Sequence, residues 1–338
     1  MTNGNAKSGI RQVAMQAGVS IATVSRVLNR SDKVSKNTRD RVLQVLEQSG
    51  FRPNAAAKAL ATNRTRTIAA IIPTLEHSIF AVFLNAIEDQ LAKAGYSLVI
   101  ATHGFDPDVE LTRYNEVVRL GAEAIILSGT EHNDTLLKTI RAARIPCLMT
   151  SVYDQRYDFP TCGYDNKALA VDAINYLAAL GHRRITVIHG PCTNNDRMQL
   201  RVQGVTQAAG AIDQVQVTLQ EASLGVAGGS AVAKQWFATD TLPDACLCLA
   251  DVLALGVIFE AHNQSISVPD AFSLMGFEDL DWAAHCSPAL TTVALPAADM
   301  GRAAANALVA KLDEDMALDH QLFGGKIIER ASTRQRKQ

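Results

Sequence analysis

The sequence predicts a small all-α head joined to a two-lobed α/β body with parallel sheets, and three observations predict it. Charge is divided unevenly: residues 1–66 hold 12 Lys+Arg against 3 Asp+Glu, a net +9, and the remaining residues hold 20 against 31, a net −11. Apolar residues near the N-terminus recur at helical spacing. From Thr67 onward short apolar runs alternate with helical stretches, the pattern that builds parallel sheets. The overall −2 is thus a cancellation, and the basic head alone suits a polyanion.

In the head, Ile10, Val13, Ala14 and Ala17 share one helical face, and Gly18 then breaks the helix. Ser20 is a natural N-cap for a second helix over Thr23–Asn29, with Val24, Val27 and Leu28 turned inward. Two short helices joined by a tight glycine turn form a helix-turn-helix. A third helix starts from a cap at Ser35, carries Val42, Leu43, Val45 and Leu46, and ends at Gly50. Residues 53–61 are rich in helix formers but too few to hold a helix alone, which takes about 12–15 residues. They make either a docked helix or one that folds on binding, and the polar run 62–66 reads as a linker.

In the body, Ile68–Ile72, Leu98–Ala101, Ala124–Leu127 and Cys147–Thr150 form one series of strands. Helical stretches such as Phe80–Ala94 and Leu111–Leu120 separate them. After Gly181 a second series follows: Ile185–His189, Gln214–Leu219, Cys246–Ala250 and Ser273–Phe277. Ligands of such sheets bind beyond the carboxyl ends of the strands, here in the cleft between lobes. The expected divisions are a head over 8–52, a hinge and linker over 53–66, a body over 67–330 and a disordered tail over 331–338.

Several classes are excluded. Composition is globular, with 48% hydrophobic and 20% charged residues. No apolar stretch nears the ~18 residues of a membrane span, and no apolar leader opens the chain, so a cytoplasmic location without membrane contact is expected. The six cysteines show no CxxC pair and no Cys/His cluster at zinc spacing, which leaves reduced core thiols and no metal. Gly225–Gly229 is not a dinucleotide loop, and no P-loop or nucleophile elbow occurs. An enzyme is therefore not expected, nor any catalytic residue or cofactor.

Residues 10–29 (IRQVAMQAGVSIATVSRVLN), 34–42 (VSKNTRDRV) and 50–54 (GFRPN) resemble the DNA-binding headpiece of the LacI family of bacterial repressors. Gln12 departs from the family's usual Asp, on the outer face of the first helix. The resemblance extends over essentially the whole chain, because the body is similar to the periplasmic-binding-protein-like effector domain of these regulators. It implies that the second helix lies in the major groove of a pseudopalindromic duplex operator. Ile21 and Ala22, just past the Ser20 cap, then occupy base-discriminating positions where only apolar contact is open to them, as to a thymine methyl. Arg26 matches a base-contacting position suited to guanine, with a phosphate contact as the other possibility. Ser20, Thr23, Ser25 and Asn29 suit phosphates. The resemblance further implies paired hinge helices in the minor groove. There Asn54, Ala57 and Lys58 are DNA-contacting positions and Leu60 is a wedge between base steps; packing of Leu60 on the body is the alternative.

For the cleft, the resemblance implies an effector held by Phe80, with His77 in the same loop, and by Arg201 in the family's R-x-x-G element ending at Gly204. Arg197, one turn earlier, is the alternative arginine. Asp251 matches the second residue of an Asn-Asp pair whose Asn is Ala250 here. Glu278 stands where an Asp is usual, and Ser151 where an acid is usual. With fewer carboxylates and an arginine, the pocket suits a sugar acid as well as a neutral sugar. Residues 102–105 and 80–82 distantly resemble gluconate-type members. The expectation is a homodimeric repressor controlled by a small sugar-like effector, since the tail lacks a tetramerising heptad helix. The competing reading is a sugar- or sugar-acid-binding module with no DNA role.

Overall fold

The computed structural model describes residues 9–29, 33–50, 59, 62–239 and 242–336, without the Asn29 side chain. Asn54, Ala57, Lys58 and Leu60 therefore lie outside the described residues. The chain divides into two compact units, Met1–Thr65 and Arg66–Gln338.

The first unit contains α1 (Ile10–Gln16), α2 (Ile21–Asn29) and α3 (Lys36–Ser49). Val13, Ala14, Ala17, Val24, Val27 and Val42 close its core, and Ile10, Leu28, Val45 and Leu46 pack around them. Leu43 faces outward instead, 47% exposed, because it sits about 100° around the helix from Val42. The turn after α1 needs Gly18 at φ +62°, and α3 stops at Gly50 at φ +61°, both left-handed conformations that a side chain disfavours. The Ser20 hydroxyl accepts the Thr23 N–H at 3.1 Å and caps α2. Ser35 holds the N-cap position of α3, but its hydroxyl donates to Thr38 Oγ1 at 2.9 Å rather than accepting a backbone N–H.

The second unit has two lobes. The first is β1 (Thr67–Ile72), α4 (Ser78–Lys93), β2 (Ser97–Thr102), α5 (Pro107–Arg119), β3 (Ala124–Ser128), α6 (Asp134–Ala143), β4 (Cys147–Thr150) and β5 (Thr161–Gly163). The second is α7 (Asn166–Ala179), β6 (Arg184–His189), α8 (Asp196–Ala211), β7 (Gln216–Glu221), α9 (Val226–Phe237), β8 (Ala245–Cys248), α10 (Asp251–Asn263), β9 (Ser273–Glu278) and β10 (Thr291–Ala294). The chain then returns to the first lobe as α11 (Ala297–Glu314), which packs on α4, and β11 (Gln321–Leu322). It ends in the second lobe with β12 (Lys326–Ile328). Three passages between the lobes result.

Strand orders are β11-β5-β4-β3-β1-β2 and β12-β10-β9-β8-β6-β7, parallel throughout except for β12 against β10. Central strands are covered on both faces, so β1, β3, β8 and β9 are buried almost throughout and read as near-continuous apolar runs with polar residues only at their ends. The edge strand β7 starts two residues later than its apolar pattern suggests, because Gln214 takes a left-handed turn at φ +66°. One buried apolar cluster runs from Ile68 and Phe83 through Tyr164, Met198 and Met300 to Val187 and Phe277, so the lobes share packed surface at the floor of the cleft.

The expectation of a disordered tail is corrected over the described residues 331–336. Ser332 is fully buried; its hydroxyl donates to Leu274 O at 2.6 Å and accepts the Thr291 N–H at 2.8 Å. Arg336 reaches Asp244 at 2.8 Å. Polar composition concealed a segment whose side chains satisfy backbone groups at the end of the second sheet. The six cysteines are free thiols, and no described helix is long and apolar enough to cross a membrane.

Candidate functional site

On α2, Val24 and Val27 point into the core, which leaves Ile21, Ala22 and Arg26 exposed on the opposite face and Ser25 half-buried beside them. Ser20 is exposed and Thr23 half-exposed at the start of the same helix, their hydroxyls 2.9 Å apart. The described sequence candidates on α2 thus share one surface. Ile21 is 44% exposed, an apolar side chain offered to solvent beside the helix N-terminus. That face combines an apolar tip, a guanidinium and hydroxyls, the set that reads base edges and grips phosphates.

In the body, strand carboxyl ends from both lobes meet around a cavity of about 50 Å³. His77, Phe80, Ser151, Arg201 and Glu278 all line it, as does Arg197, so both arginines face the same space. An outer chamber of about 590 Å³ adjoins it and shares His77, Phe105, Asn195 and Leu224. The rings of His77 and Phe80 stack with centroids 6.4 Å apart.

Arg201 is held rigidly. Its Nε donates to Asn166 Oδ1 at 3.0 Å, its Nη1 donates to Leu249 O at 2.8 Å, and its guanidinium lies 4.3 Å above the Phe277 ring. Asn166 in turn donates to Ser151 O at 2.8 Å, which ties the arginine to the first lobe. Glu278 Oε1 lies 4.0 Å from Arg201 Nη1. Burial pushes the Glu278 carboxyl up to about 8, against the pull of Arg201 and with the Asp251 carboxylate adding to the rise. Ionisation of this carboxyl is therefore disfavoured, and Arg201 stands beside it as a buried cation. Ser151 and Glu278 have φ of +69° and +129°, conformations costly for L-residues, and such strain concentrates at ligand sites.

Asp251 departs from expectation. It is fully buried and does not line the cavity. One carboxylate oxygen accepts the Thr292 hydroxyl at 2.6 Å, the other the Leu280 N–H at 2.9 Å. A Cβ on Gly276 would sit 2.1 Å from this carboxylate, so the glycine makes room for it. Burial raises its pKa to about 6. Asp251 thus fastens the start of α10 to the loops around β10 rather than touching a ligand. Asp251→Ala leaves a buried N–H and hydroxyl unpartnered, at a cost of about 2–4 kcal/mol, and lowers Tm by roughly 5–10 °C. An unchanged melting curve would contradict this fastening role.

Sequence reasoning missed the contacts that clamp the lobes. Asp196 Oδ2 accepts the Thr130 N–H, the Thr130 hydroxyl at 2.9 Å and the Glu131 N–H at 3.3 Å. Arg197 Nη1 donates to Ser128 O and to Asp196 Oδ1, both at 2.8 Å. Burial opposes ionisation of Asp196, but Arg197 and the Thr130 bonds overcome it and hold the carboxyl below its ordinary value. Gly129, at φ +95°, permits the approach: a Cβ there would lie 2.1 Å from Arg197 Nη1. Asn195, which lines both chambers, was also missed; its side chain accepts the Met198 N–H as the N-cap of α8, a role that an Asn before a helical run signals. Tyr164 and Met300 carried no such signal, because they reach the cavity only through the return passages of the chain.

Residues 9–54 match the family model described as bacterial regulatory proteins of the lacI family, and residues 174–333 match a periplasmic binding protein-like domain. The HTH-type transcriptional repressor CytR of Escherichia coli (strain K12) is 32% identical over 333 residues, 96% of each chain. The HTH-type transcriptional repressor PurR of Klebsiella pneumoniae (strain 342) is 28% identical over 307 residues, 90% of each. The crystal structure of the lac repressor dimer bound to operator and an anti-inducer superposes with a TM-score of 0.84 over 97% of this chain and 99% of that one, at 23% identity, and so shares the fold. The reading surface on α2, the two-lobed body with its cleft and the near end-to-end match to a repressor agree: the chain belongs to the LacI family of DNA-binding transcriptional regulators.

Proposed function

We propose that this regulator is a homodimeric repressor whose inter-lobe cleft binds a small sugar acid, and that this effector sets its hold on operator DNA. The observation that carries the effector class is the buried Arg201 guanidinium lining the cavity, with Glu278 4.0 Å away and its ionisation opposed by burial. Arg197 has its own carboxylate partner in Asp196, so Arg201 supplies the uncompensated charge of the pocket. An anion relieves that charge, whereas a neutral sugar leaves it buried. His77, Phe80 and Phe105 supply apolar surface for the carbon face of the ligand, and Asn195 supplies an amide for hydroxyls.

The geometry also supports a mode of control. The inner chamber of about 50 Å³ has room for a few waters, each needing about 10–15 Å³ of such space, and so is small for a whole sugar. Admitting a ring requires the lobes to shift, and a shift strains the Asp196–Thr130 and Arg197–Ser128 bonds. The ligand then changes the balance between lobe arrangements by its differential affinity for them. The two heads of a dimer would meet the two half-sites of a pseudopalindromic operator.

A thermal-shift screen of the full chain with neutral sugars and the corresponding sugar acids tests the effector class. A saturating acid, at about 100 times its Kd, adds about 2.7 kcal/mol of stability and raises Tm, while the neutral sugar leaves it unchanged. A shift with neutral sugars alone would reject the acid reading and leave the family assignment standing.

A further inference from the structure

His189 ends β6, Cys192 follows in the loop to α8, and Glu221 ends the neighbouring β7 directly opposite His189 in the strand register. Their donor atoms all lie within 4.8 Å of one another, the one such three-residue group of His, Cys, Asp or Glu among the described residues. We propose that His189, Cys192 and Glu221 form a three-ligand site for a divalent transition ion of the zinc class at the rim of the cleft.

The donor set selects the ion. An imidazole nitrogen, a thiolate and a carboxylate oxygen together suit zinc and its neighbours, not calcium or magnesium, which take oxygen ligands. The spacing is suitable. Tetrahedral zinc with bonds of about 2.1 Å to nitrogen and 2.3 Å to sulfur places those two atoms about 3.6 Å apart. Here Cys192 Sγ is 3.8 Å from His189 Nδ1. His189 is buried, Cys192 half-buried and Glu221 exposed, so the site has a rigid base and an open side. That side is an entry path and leaves the fourth position to water. The contrast is Cys246 and Cys248, 3.7 Å apart but fully buried with no entry path.

Protons move on binding. His189 Nδ1 lies 2.8 Å from Gly190 O, so in the metal-free chain this nitrogen carries its proton toward the carbonyl. The ion takes the Nδ1 lone pair, the ring proton shifts to Nε2, and the Cys192 thiol releases its proton to solvent. Two negative ligands then neutralise the ion.

The site is placed to matter for the cleft. Pro191 and Thr193, on either side of Cys192, line the outer chamber. Cys192 O accepts the Asn195 N–H at 3.2 Å and the Gln199 side chain at 2.8 Å. An ion on Cys192 thus pins the loop that presents Asn195 to the ligand.

The test uses tag-free, reduced, metal-stripped full-length chain titrated with Zn²⁺ by calorimetry and with Co²⁺ by absorption, where a cobalt–thiolate bond gives a near-ultraviolet charge-transfer band. One ion per chain and that band are expected. Cys192→Ser removes the band, Glu221→Gln weakens binding by removing a ligand charge, and Cys286→Ser, the other half-buried thiol, leaves both unchanged. Both test substitutions are near the surface, and an unchanged melting curve without metal verifies folding. Absence of stoichiometric binding, or a band that survives Cys192→Ser, overturns the proposal. Neither readout involves the effector, so the outcome is independent of the sugar-acid reading.

Discussion

Raising salt from 50 to 200 mM lowers the affinity of the full chain for its operator duplex by about 10³-fold or more. The first 66 residues place 12 basic against 3 acidic side chains, and the proposed dimer would present two such heads. Engaging about 6–10 phosphates releases as many condensed counterions, and salt opposes that release. The body, at net −11, is repelled by phosphate, so the slope reports mainly the heads. An operator selected from a random duplex pool and titrated by fluorescence anisotropy gives the measurement. A shallow slope would remove the polyanion role of the basic head. In the same assay Arg26→Ala separates base reading from phosphate gripping. As an exposed side chain on the α2 face it can be removed without disturbing Val24 or Val27. Loss of a bidentate guanine contact costs about 1–3 kcal/mol on the operator and relaxes preference at one position, with little effect on random DNA. An equal loss on all duplexes would make Arg26 a phosphate contact.

The head was legible almost residue by residue, because three helices with one small core leave few ways to converge Val13, Val24, Val27 and Val42. The central strands were legible for a related reason: burial on both faces makes a near-continuous apolar run. β5, β11 and β12, of two or three residues, carry too little pattern to see. The tail was misread because Ser332 and Thr333 are held by hydrogen bonds rather than apolar contacts, which composition does not reveal. In the cleft, His77, Phe80, Ser151, Arg201 and Glu278 line one cavity, His77 and Ser151 just past strand ends, Glu278 at one, and Phe80 and Arg201 on the helices that follow. Asp251 follows a strand equally closely, yet turns inward, because Leu280 N–H and Thr292 compete for its carboxylate. The Asp196–Thr130 clamp joins distant residues, and the His189–Cys192 pair gains its third member, Glu221, only through the strand pairing. They depend on how neighbouring strand ends are brought together.

Arg201→Ala is expected to cut affinity for a sugar acid by about 30-fold to several thousand-fold, the range for removing one partner of a buried, hydrogen-bonded charge pair. The guanidinium is oriented by Asn166, Leu249 O and Phe277 before any ligand arrives, so little ordering cost offsets its contact. Arg201→Lys keeps the charge but not the planar fork, and recovers only part of the loss. Glu278 adds a pH dependence whose sign follows from its raised pKa. Folded, it stays neutral up to about 8, whereas unfolded it ionises near the ordinary value of 4.5. Between those values the folded chain holds a proton that the unfolded chain has lost. Stability from this group is therefore full below 4.5 and declines as pH rises through about 8. Above 8 an ionised Glu278 also repels an acid ligand, so sugar-acid affinity falls between pH 7 and 9. Glu278→Gln cannot ionise, and in that variant both slopes flatten while Arg201 remains. Calorimetric titrations and melting curves of the two chains at pH 6, 7.5 and 9 read both effects. If wild-type affinity and stability do not change with pH over that range, Glu278 is not the neutral acid beside Arg201, and the charge argument for a sugar acid fails with it.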